Sequence, residues 1–423
     1  MKLGAFWSRI KNHPLLRVGP GLVTGVADDD PSGIVTYSQA GAQFGLNMLW
    51  TMPIAYPLMA AIQVLCARLG RVTGHGLAFN IKTTFPPVVL FLLVLFLLIA
   101  NVLNIAADIA AMGEVAGLVT GINWHIMTAF FVILTLALQI FVPYHRYIYF
   151  LKWLTLSLLA YAAVLFTVSV PWDEVFLATL MPRFTLNSDA AAMIVGIFGT
   201  TISPYLFFWQ ASQEVEDMNS HHQQKLFSEG GDIVSSELKR ISWDTWSGML
   251  YSNVAAYCII LATAVTLHTA GITDINTAAQ AAFALKPLVG NSAYFLFAIG
   301  ILGVGLIGVP VLAGSAAYAL SEVFGWNASL ENSPRHAIKF YIVIALSILG
   351  ALAIQYSPIS PMKALFWSAV INGVVAVPLM VAIMILASRK SVMGVFVASK
   401  SILFLGWTAT ILMGLAALFM FFG

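Results

Sequence analysis

Apolar stretches of roughly 20 residues recur along the 423-residue chain, and that recurrence constrains the fold more than any single motif. Eleven of them can be read, at about 19–44, 46–69, 87–112, 124–142, 147–170, 189–211, 242–268, 293–324, 337–356, 363–387 and 402–422. Only 9% of the residues are charged, against about 25% in a soluble domain, so a water-facing surface of this size cannot be built. A large soluble enzyme, a disordered chain and a nucleic-acid binder are thereby excluded, and a formal net charge of +2 calls for no anionic partner. The chain reads as an all-α polytopic membrane protein whose principal partner is the lipid bilayer. Two amphipathic connectors, at about 171–187 and 275–290, are expected at the membrane surface. Cys66 and Cys258 lie in apolar stretches and read as small hydrophobes rather than a disulfide or metal pair. No cleavable signal peptide is expected, because the basic start meets three aspartates after a short apolar run at 18–27.

Charge placement sets the orientation. With the N-terminus in the cytoplasm, seventeen of the 20 Lys and Arg residues fall on inside segments, and only Arg183, Lys286 and Lys363 fall outside. The same count supports eleven spans, since one missed span would invert every later loop. The expectation is a multi-pass protein of the cell membrane with a cytoplasmic N-terminus and an extracellular C-terminus. The Asn327-Ala328-Ser329 sequon then faces the cytoplasm.

Two spans are interrupted. In the first, an apolar run from Gly19 to Ala27 meets Asp28-Asp29-Asp30-Pro31-Ser32-Gly33 before the apolar pattern resumes. Carboxylates at membrane depth cost several kcal/mol unless they face a cavity, a cation or a partner. Pro31 removes a backbone donor, so the helix is expected to break there, and broken backbone at that depth lines a cavity or is buried in protein. Asp30-Pro31 is also a good helix start, with Asp as N-cap and Pro at the first helical position, and Asp28 and Asp29 read alternatively as solvated near the surface. The sixth span repeats the pattern, with Thr200-Thr201-Ile202-Ser203-Pro204-Tyr205 interrupting its apolar run. One interruption opening each set of five spans is the signature of a 5+5 inverted-repeat transporter, with substrate bound near the midplane between the breaks. The expected repeats are about 18–170 and 189–388, followed by an extra helix at about 402–422, all within one transporter domain.

These residues resemble the Nramp family of divalent-metal transporters. Gly19-Pro20-Gly21, Asp30-Pro31-Ser32-Gly33 and the Gln39-Ala40-Gly41-Ala42-Gln43-Phe44-Gly45 stretch are similar to that family's first helix, whose core is Asp-Pro-Gly-Asn before a Gln-Ala-Gly stretch. The resemblance implies a LeuT-like fold and import of divalent cations. It places the family's metal-binding Asp on Asp30 and a carbonyl ligand on Ala27. The family's Asn ligand falls on Gly33, its Met-Pro-His falls on Ser203-Pro204-Tyr205, and the carbonyl ligand of that helix falls on Thr200. Two side-chain ligands are therefore replaced, including the only sulfur.

The replacements have a chemical direction. Thioethers select softer metals, whereas carboxylate, carbonyl and water suit Mg²⁺, Ca²⁺ and Mn²⁺. An oxygen-only site, enlarged by the missing side chain at Gly33, suits a partly hydrated Mg²⁺, which gives up water reluctantly. The pattern resembles the Nramp-related magnesium transporter subgroup, which also carries Mn²⁺. The family's proton route has an Asp and, three residues later, a Glu in span three; here these are Asp108 and Ala111. Its titrating His is Tyr205. Glu114 lies about 240° around the helix from Asp108 and is a poor substitute. Transport without proton coupling is the expectation.

Other polar residues extend the candidate pathway. Asp29 precedes the ligand position. Gln210 and Glu214 follow Ser203 on one helix face and read either as an acidic path toward the cytoplasm or as a helix end in solvent. Asn372 in span ten reads as pore-facing or as a helix–helix hydrogen bond. Asp189 and Asp244 read as interfacial caps, and His221 and His222 as part of a solvated loop. No nucleotide-binding pattern or nucleophile–base constellation is present, so no covalent chemistry, resident cofactor or obligatory protein partner is expected. Two rival readings stand beside divalent-cation import: a Na⁺-coupled amino-acid or amine carrier on the same fold, and a membrane receptor or scaffold that does not transport.

Overall fold

The computed structural model describes residues 20–142, 154–182, 187–220, 232–330, 334–354 and 360–422. All regular structure among them is helical. The main helices are α1 (Pro20–Asp28), α2 (Pro31–Phe44), α3 (Thr51–Thr73), α4 (Leu77–Thr84), α5 (Pro87–Thr120), α6 (Trp124–Phe141), α7 (Ser188–Thr201), α8 (Pro204–Ser220), α9 (Asp232–Thr263), α10 (Ala293–Phe324), α11 (Ile338–Ile354), α12 (Pro361–Ser388) and α13 (Lys400–Phe422). Eight segments among the described residues are long and apolar enough to cross a membrane, with α7 and α8 taken as one and α11 falling just short in length. The split pair α1–α2 corresponds to the first expected span. The fifth, 147–170, lies partly outside the described residues, as do His221, His222 and eight of the Lys and Arg residues used for orientation.

The exterior explains the composition. Phe91 and Ile99 on α5, Ile126, Phe130 and Ile133 on α6, and Phe404, Ile411 and Leu418 on α13 are all exposed. In water such a surface would aggregate; in a bilayer it is the solvent-matched face. The surface connectors contain helices, Trp172–Leu180 in the first and Ala278–Ala282 in the second. The latter is started by a capping box between Thr277 and Gln280. Both cysteines are free, with Cys66 buried.

Both interruptions are present. The chain leaves helical geometry after Asp28, and Asp30 is the N-cap of α2, its backbone extended at φ −66° and ψ 172° and its carboxylate accepting from the Gly33 N–H. Pro31 occupies the first helical position, where its missing N–H costs nothing. The second break falls at Ile202 and Ser203, and α8 restarts at Pro204. The capping role engages one oxygen of the Asp30 carboxylate, Oδ1, and so does not exclude a site role for the other.

The half-helix α1 is held against α9 by close backbone contact. A Cβ at Gly25 would collide with the backbone of Gly248, and one at Gly248 with that of Gly21 and Leu22. Asp244, expected to cap the start of its own helix, lies well inside α9 and instead accepts from the Gly21 N–H at 2.7 Å, capping the start of α1. The cap of α7 is Asn187, whose side chain accepts from Ala190 N, and not Asp189 in the first turn.

Candidate functional site

Asp30 lies between the two breaks and is 1% exposed. Its Oδ1 accepts from the Ser32 hydroxyl at 2.6 Å and the Gly33 N–H at 2.9 Å. Its Oδ2 accepts from Asn104 Nδ2 on α5 at 3.0 Å and from the Tyr205 hydroxyl on α8 at 3.1 Å. The Tyr205 hydroxyl also lies 3.2 Å from the Ala27 carbonyl oxygen at the end of α1. Two acceptors therefore converge on one point, held here by a phenolic O–H. Convergent acceptors of this kind form the electrostatic environment that a cation requires. Room for the Asp30 side chain comes from Gly308 on α10, where a Cβ would sit 3.0 Å from Asp30 Cβ.

Behind Asp30 the network continues. Asn104 Nδ2 also donates to Asp108 Oδ2 at 3.1 Å, and Asn104 Oδ1 accepts from Asn372 Nδ2 of α12 at 3.1 Å. Asn372 is thus both a helix–helix hydrogen bond and part of the site's surroundings. Asn104 was not singled out from the sequence. Its signal was its i, i+4 spacing from Asp108 in an otherwise apolar span, which puts both polar groups on one helix face.

Several expectations change at this point. Gly33 does not open free space, because a Cβ there would meet Thr200 Oγ1 at 2.9 Å; the threonine hydroxyl has taken that volume. Ser203 directs its hydroxyl to Gly199 O at 2.8 Å and Thr200 O at 2.7 Å, satisfying carbonyls that the break frees at the end of α7. The Thr200 carbonyl, expected to be a ligand, is thus an acceptor for Ser203. Neither residue bonds Asp30, whereas Tyr205, expected only along the pathway, does.

Asp28 and Asp29 are not solvated. They are 0% and 1% exposed, and both accept from the Ser252 hydroxyl of α9, with Asp29 Oδ1 at 2.9 Å. One hydroxyl proton serves two carboxylates, and Asp28 Oδ1 and Asp29 Oδ2 meet no hydrogen-bond donor among the described residues. Glu114 is committed elsewhere, accepting from Ala278 N at 2.8 Å at the start of a connector helix.

Toward one end, the Thr24 hydroxyl of α1 donates to Gln210 Oε1, and Gln210 Nε2 donates to Glu214 Oε1 at 3.3 Å. Glu214 does not end its helix in solvent. It is fully buried and lies 3.7 Å from Arg71 and 3.8 Å from Arg240. Arg71, 1% exposed, also pairs with Asp217 at 2.8 Å and Glu237 at 3.1 Å. This clasp joins α3, α8 and α9. Toward the other end, a cavity of about 220 Å³ is lined by Gln39, Gln43, Asp189, Asp274 and Lys363 among others. There the Lys363 ammonium lies 3.6 Å from Asp274, and Gln39 binds Thr273 O and Ile275 N, fixing the intervening loop over α2.

A polytopic helical bundle with two broken helices facing each other across a buried carboxylate is the architecture of a secondary transporter. The sequence profile described as natural resistance-associated macrophage protein-like (Nramp) matches residues 21–423, and the chain belongs to that family, a family of transporters and not of enzymes. It is 26% identical over 408 residues to the divalent metal cation transporter MntH of Klebsiella pneumoniae, covering 93% of this chain and 90% of that protein. Its fold is similar to that of the Eremococcus coleocola manganese transporter, with a TM-score of 0.74 at 17% identity over 96% of this chain and 86% of that one. A nucleobase–cation symporter of LeuT-like fold matches more distantly, with a TM-score of 0.54 at 14% identity, over 95% of this chain and 92% of that one.

Proposed function

We propose that this protein imports hard divalent cations, Mg²⁺ first and Mn²⁺ second, and that the ion binds at Asp30. The observation that carries the reading is the convergence of Asp30 Oδ2 and the Ala27 carbonyl on the single point held by the Tyr205 hydroxyl. The two acceptors at that point, a carboxylate and a backbone carbonyl, are both oxygens, and among the described residues neither sulfur nor imidazole hydrogen-bonds the Asp30 carboxylate. Oxygen donors with one carboxylate favour a cation that keeps several of its waters. The names of the relatives, a divalent metal cation transporter and a manganese transporter, agree in ion class.

In this proposal Thr200 and Ser203 present oxygens at the second break, Gly33 leaves the volume beside it to the Thr200 hydroxyl, and Asp29, Asp108, Gln210, Glu214 and Asn372 flank the route. The chain crosses the cell membrane eleven times as two inverted five-helix repeats plus a final helix, with the N-terminus cytoplasmic and the C-terminus outside. The cavity lined by Asp189 and Asp274 is then the outer approach, and the Arg71 clasp is the inner closure. Transport runs down the cation gradient without stoichiometric proton movement. Ala111 and Tyr205 stand where the family has titrating groups, and Glu114 is held by a backbone N–H far along α5.

The test is a pH-sensitive dye inside liposomes during Mn²⁺ uptake, with voltage clamped by an ionophore. A flat luminal pH during uptake is expected. Acidification that tracks Mn²⁺ and disappears in Asp108→Asn would overturn the uncoupled mechanism.

A further inference from the structure

Asp30 as it stands offers no lone pair to an ion. An ionised carboxylate has about four acceptor sites, and Asp30 accepts from four donors, namely Ser32, Gly33 N, Asn104 and Tyr205. Ser32 and the Gly33 N–H bind Oδ1 as part of the cap that starts α2, so that oxygen is committed to local structure. Oδ2 is the oxygen that can be released, and its two donors come from other helices.

Of those two donors, Asn104 has an alternative. With both carboxylates ionised, Asp30 Oδ2 and Asp108 Oδ2 accept only, so the amide turns its NH₂ toward them. The terminal torsion of Asn is roughly two-fold, so the reversed amide occupies nearly the same volume. Reversal would place Oδ1 beside both carboxylates and Nδ2 against Asn372. Asn372 would then have to reverse as well, presenting its Oδ1. That oxygen is buried and meets no donor among the described residues, so the second reversal gives it one and leaves Asn372 Nδ2 unmatched in its place. The amide pair itself has one unmatched buried atom in either state. Asp108 Oδ2, however, loses its bond from Asn104 on reversal, and Asp108 Oδ1 already meets no donor among the described residues, so only the charge of a cation can offset the turn.

We infer that Asn104, paired with Asn372, is a reversible amide switch. It gives N–H donors to Asp30 and Asp108 in the arrangement described here, and gives its carbonyl oxygen to the cation when Asp30 is loaded. The inference rests on the reading of Asp30 as the cation site. It adds a hard oxygen ligand from α5 that the sequence did not point to, and it explains why a buried amide rather than an apolar side chain sits between two carboxylates. A dication supplies the charge that the two N–H groups otherwise compensate, so the switch turns with loading.

The experiment combines two measurements on the full-length purified protein, with Mn²⁺ as the probe. Calorimetric titration is expected to show Asn104→Leu binding Mn²⁺ at least tenfold more weakly than wild type. Anomalous scattering from Mn²⁺-soaked wild-type crystals is expected to place the ion beside Asp30 and within about 2.5 Å of the Asn104 amide, a distance only an oxygen ligand allows. If Asn104→Leu does not fold, the scattering measurement decides alone. An ion at Asp30 with the Asn104 amide still bonded to that carboxylate and beyond 3.5 Å from the metal overturns the switch while leaving the site intact. Unchanged affinity in a folded Asn104→Leu does the same. A wild-type protein that binds no Mn²⁺ at Asp30 overturns the site assignment and the switch with it.

Discussion

Replacing Asp30 with Asn removes one charge and almost nothing else, which makes it the sharpest probe of the site. The shape is retained, and Asn is as good an N-cap as Asp, so the bond from Gly33 N that starts α2 survives. Oδ1 keeps its bonds from Ser32 and the Gly33 N–H, while the new NH₂ replaces Oδ2 and loses the bonds from Asn104 and Tyr205 until those groups reorient. No longer burying an anion offsets this, and the folded protein should shift its melting temperature by no more than about 5 °C. Binding behaves differently. Two unit charges 4 Å apart attract by about 4 kcal/mol at an effective dielectric near 20, so a dication gains about 8 kcal/mol from the carboxylate. Dehydrating the ion and stripping two donors from Oδ2 consume much of this. If one third survives, about 2.7 kcal/mol, the Kd for Mn²⁺ or Mg²⁺ rises by about 100-fold. Calorimetry with both ions, alongside a thermal melt, measures the two quantities independently. A Kd within threefold of wild type in a protein that melts normally would refute the reasoning, because among the described residues no other carboxylate shares a hydrogen-bond donor with the Ala27 carbonyl.

Three further outcomes follow from the same geometry. Ser203→Met should raise Cd²⁺ uptake relative to Mg²⁺, since a thioether at the second break adds affinity for softer ions; an unchanged ratio in competition uptake would place Ser203 off the ion's route. Gly308→Val should abolish uptake while the protein still folds, because even a Cβ there lies 3.0 Å from Asp30 Cβ, and uptake above half of wild type would count against it. Arg71→Met should destabilise by about 2–3 kcal/mol, less than the penalty of about 3–5 kcal/mol for a fully unpaired buried charge, since Glu214, Asp217 and Glu237 lose one partner and keep Arg240. A melting temperature within 2 °C of wild type would show that the clasp is energetically idle.

The backbone breaks were legible because proline and clustered aspartate are expensive inside an apolar span, whatever surrounds them. Asp30 was legible for the same reason, and because Pro31 beside it marks a helix start. The rest of the site depends on contacts between residues far apart in sequence. Asp30 meets Asn104 across 74 positions and Tyr205 across 175, and nothing local in either partner announces the encounter. Gly33 shows the limit of reading a deletion as space, for a missing side chain at one position was filled by Thr200 from the facing helix. Glu214 shows the same limit for charge. Its sequence left an acidic path and an exposed helix end equally open, and the burial is made tolerable by Arg71 and Arg240 from two other helices. Asp28 and Asp29 read either as needing a cavity, a cation or a partner or as solvated near the surface; their partner Ser252, more than 220 positions away, is an ordinary residue until α9 packs against α1.

The central claim is that an oxygen-only site at Asp30 carries a hard dication across the membrane. Its most direct measurement is Mg²⁺ uptake into sealed proteoliposomes, read by a luminal Mg²⁺ indicator, for wild type and Asp30→Ala reconstituted at equal folded density. The account predicts saturable Mg²⁺ uptake by wild type, inhibited by Mn²⁺, with no uptake above protein-free liposomes for Asp30→Ala. Wild-type protein that moves neither Mg²⁺ nor Mn²⁺, or an Asp30→Ala variant that moves Mg²⁺ at the wild-type rate, would contradict it.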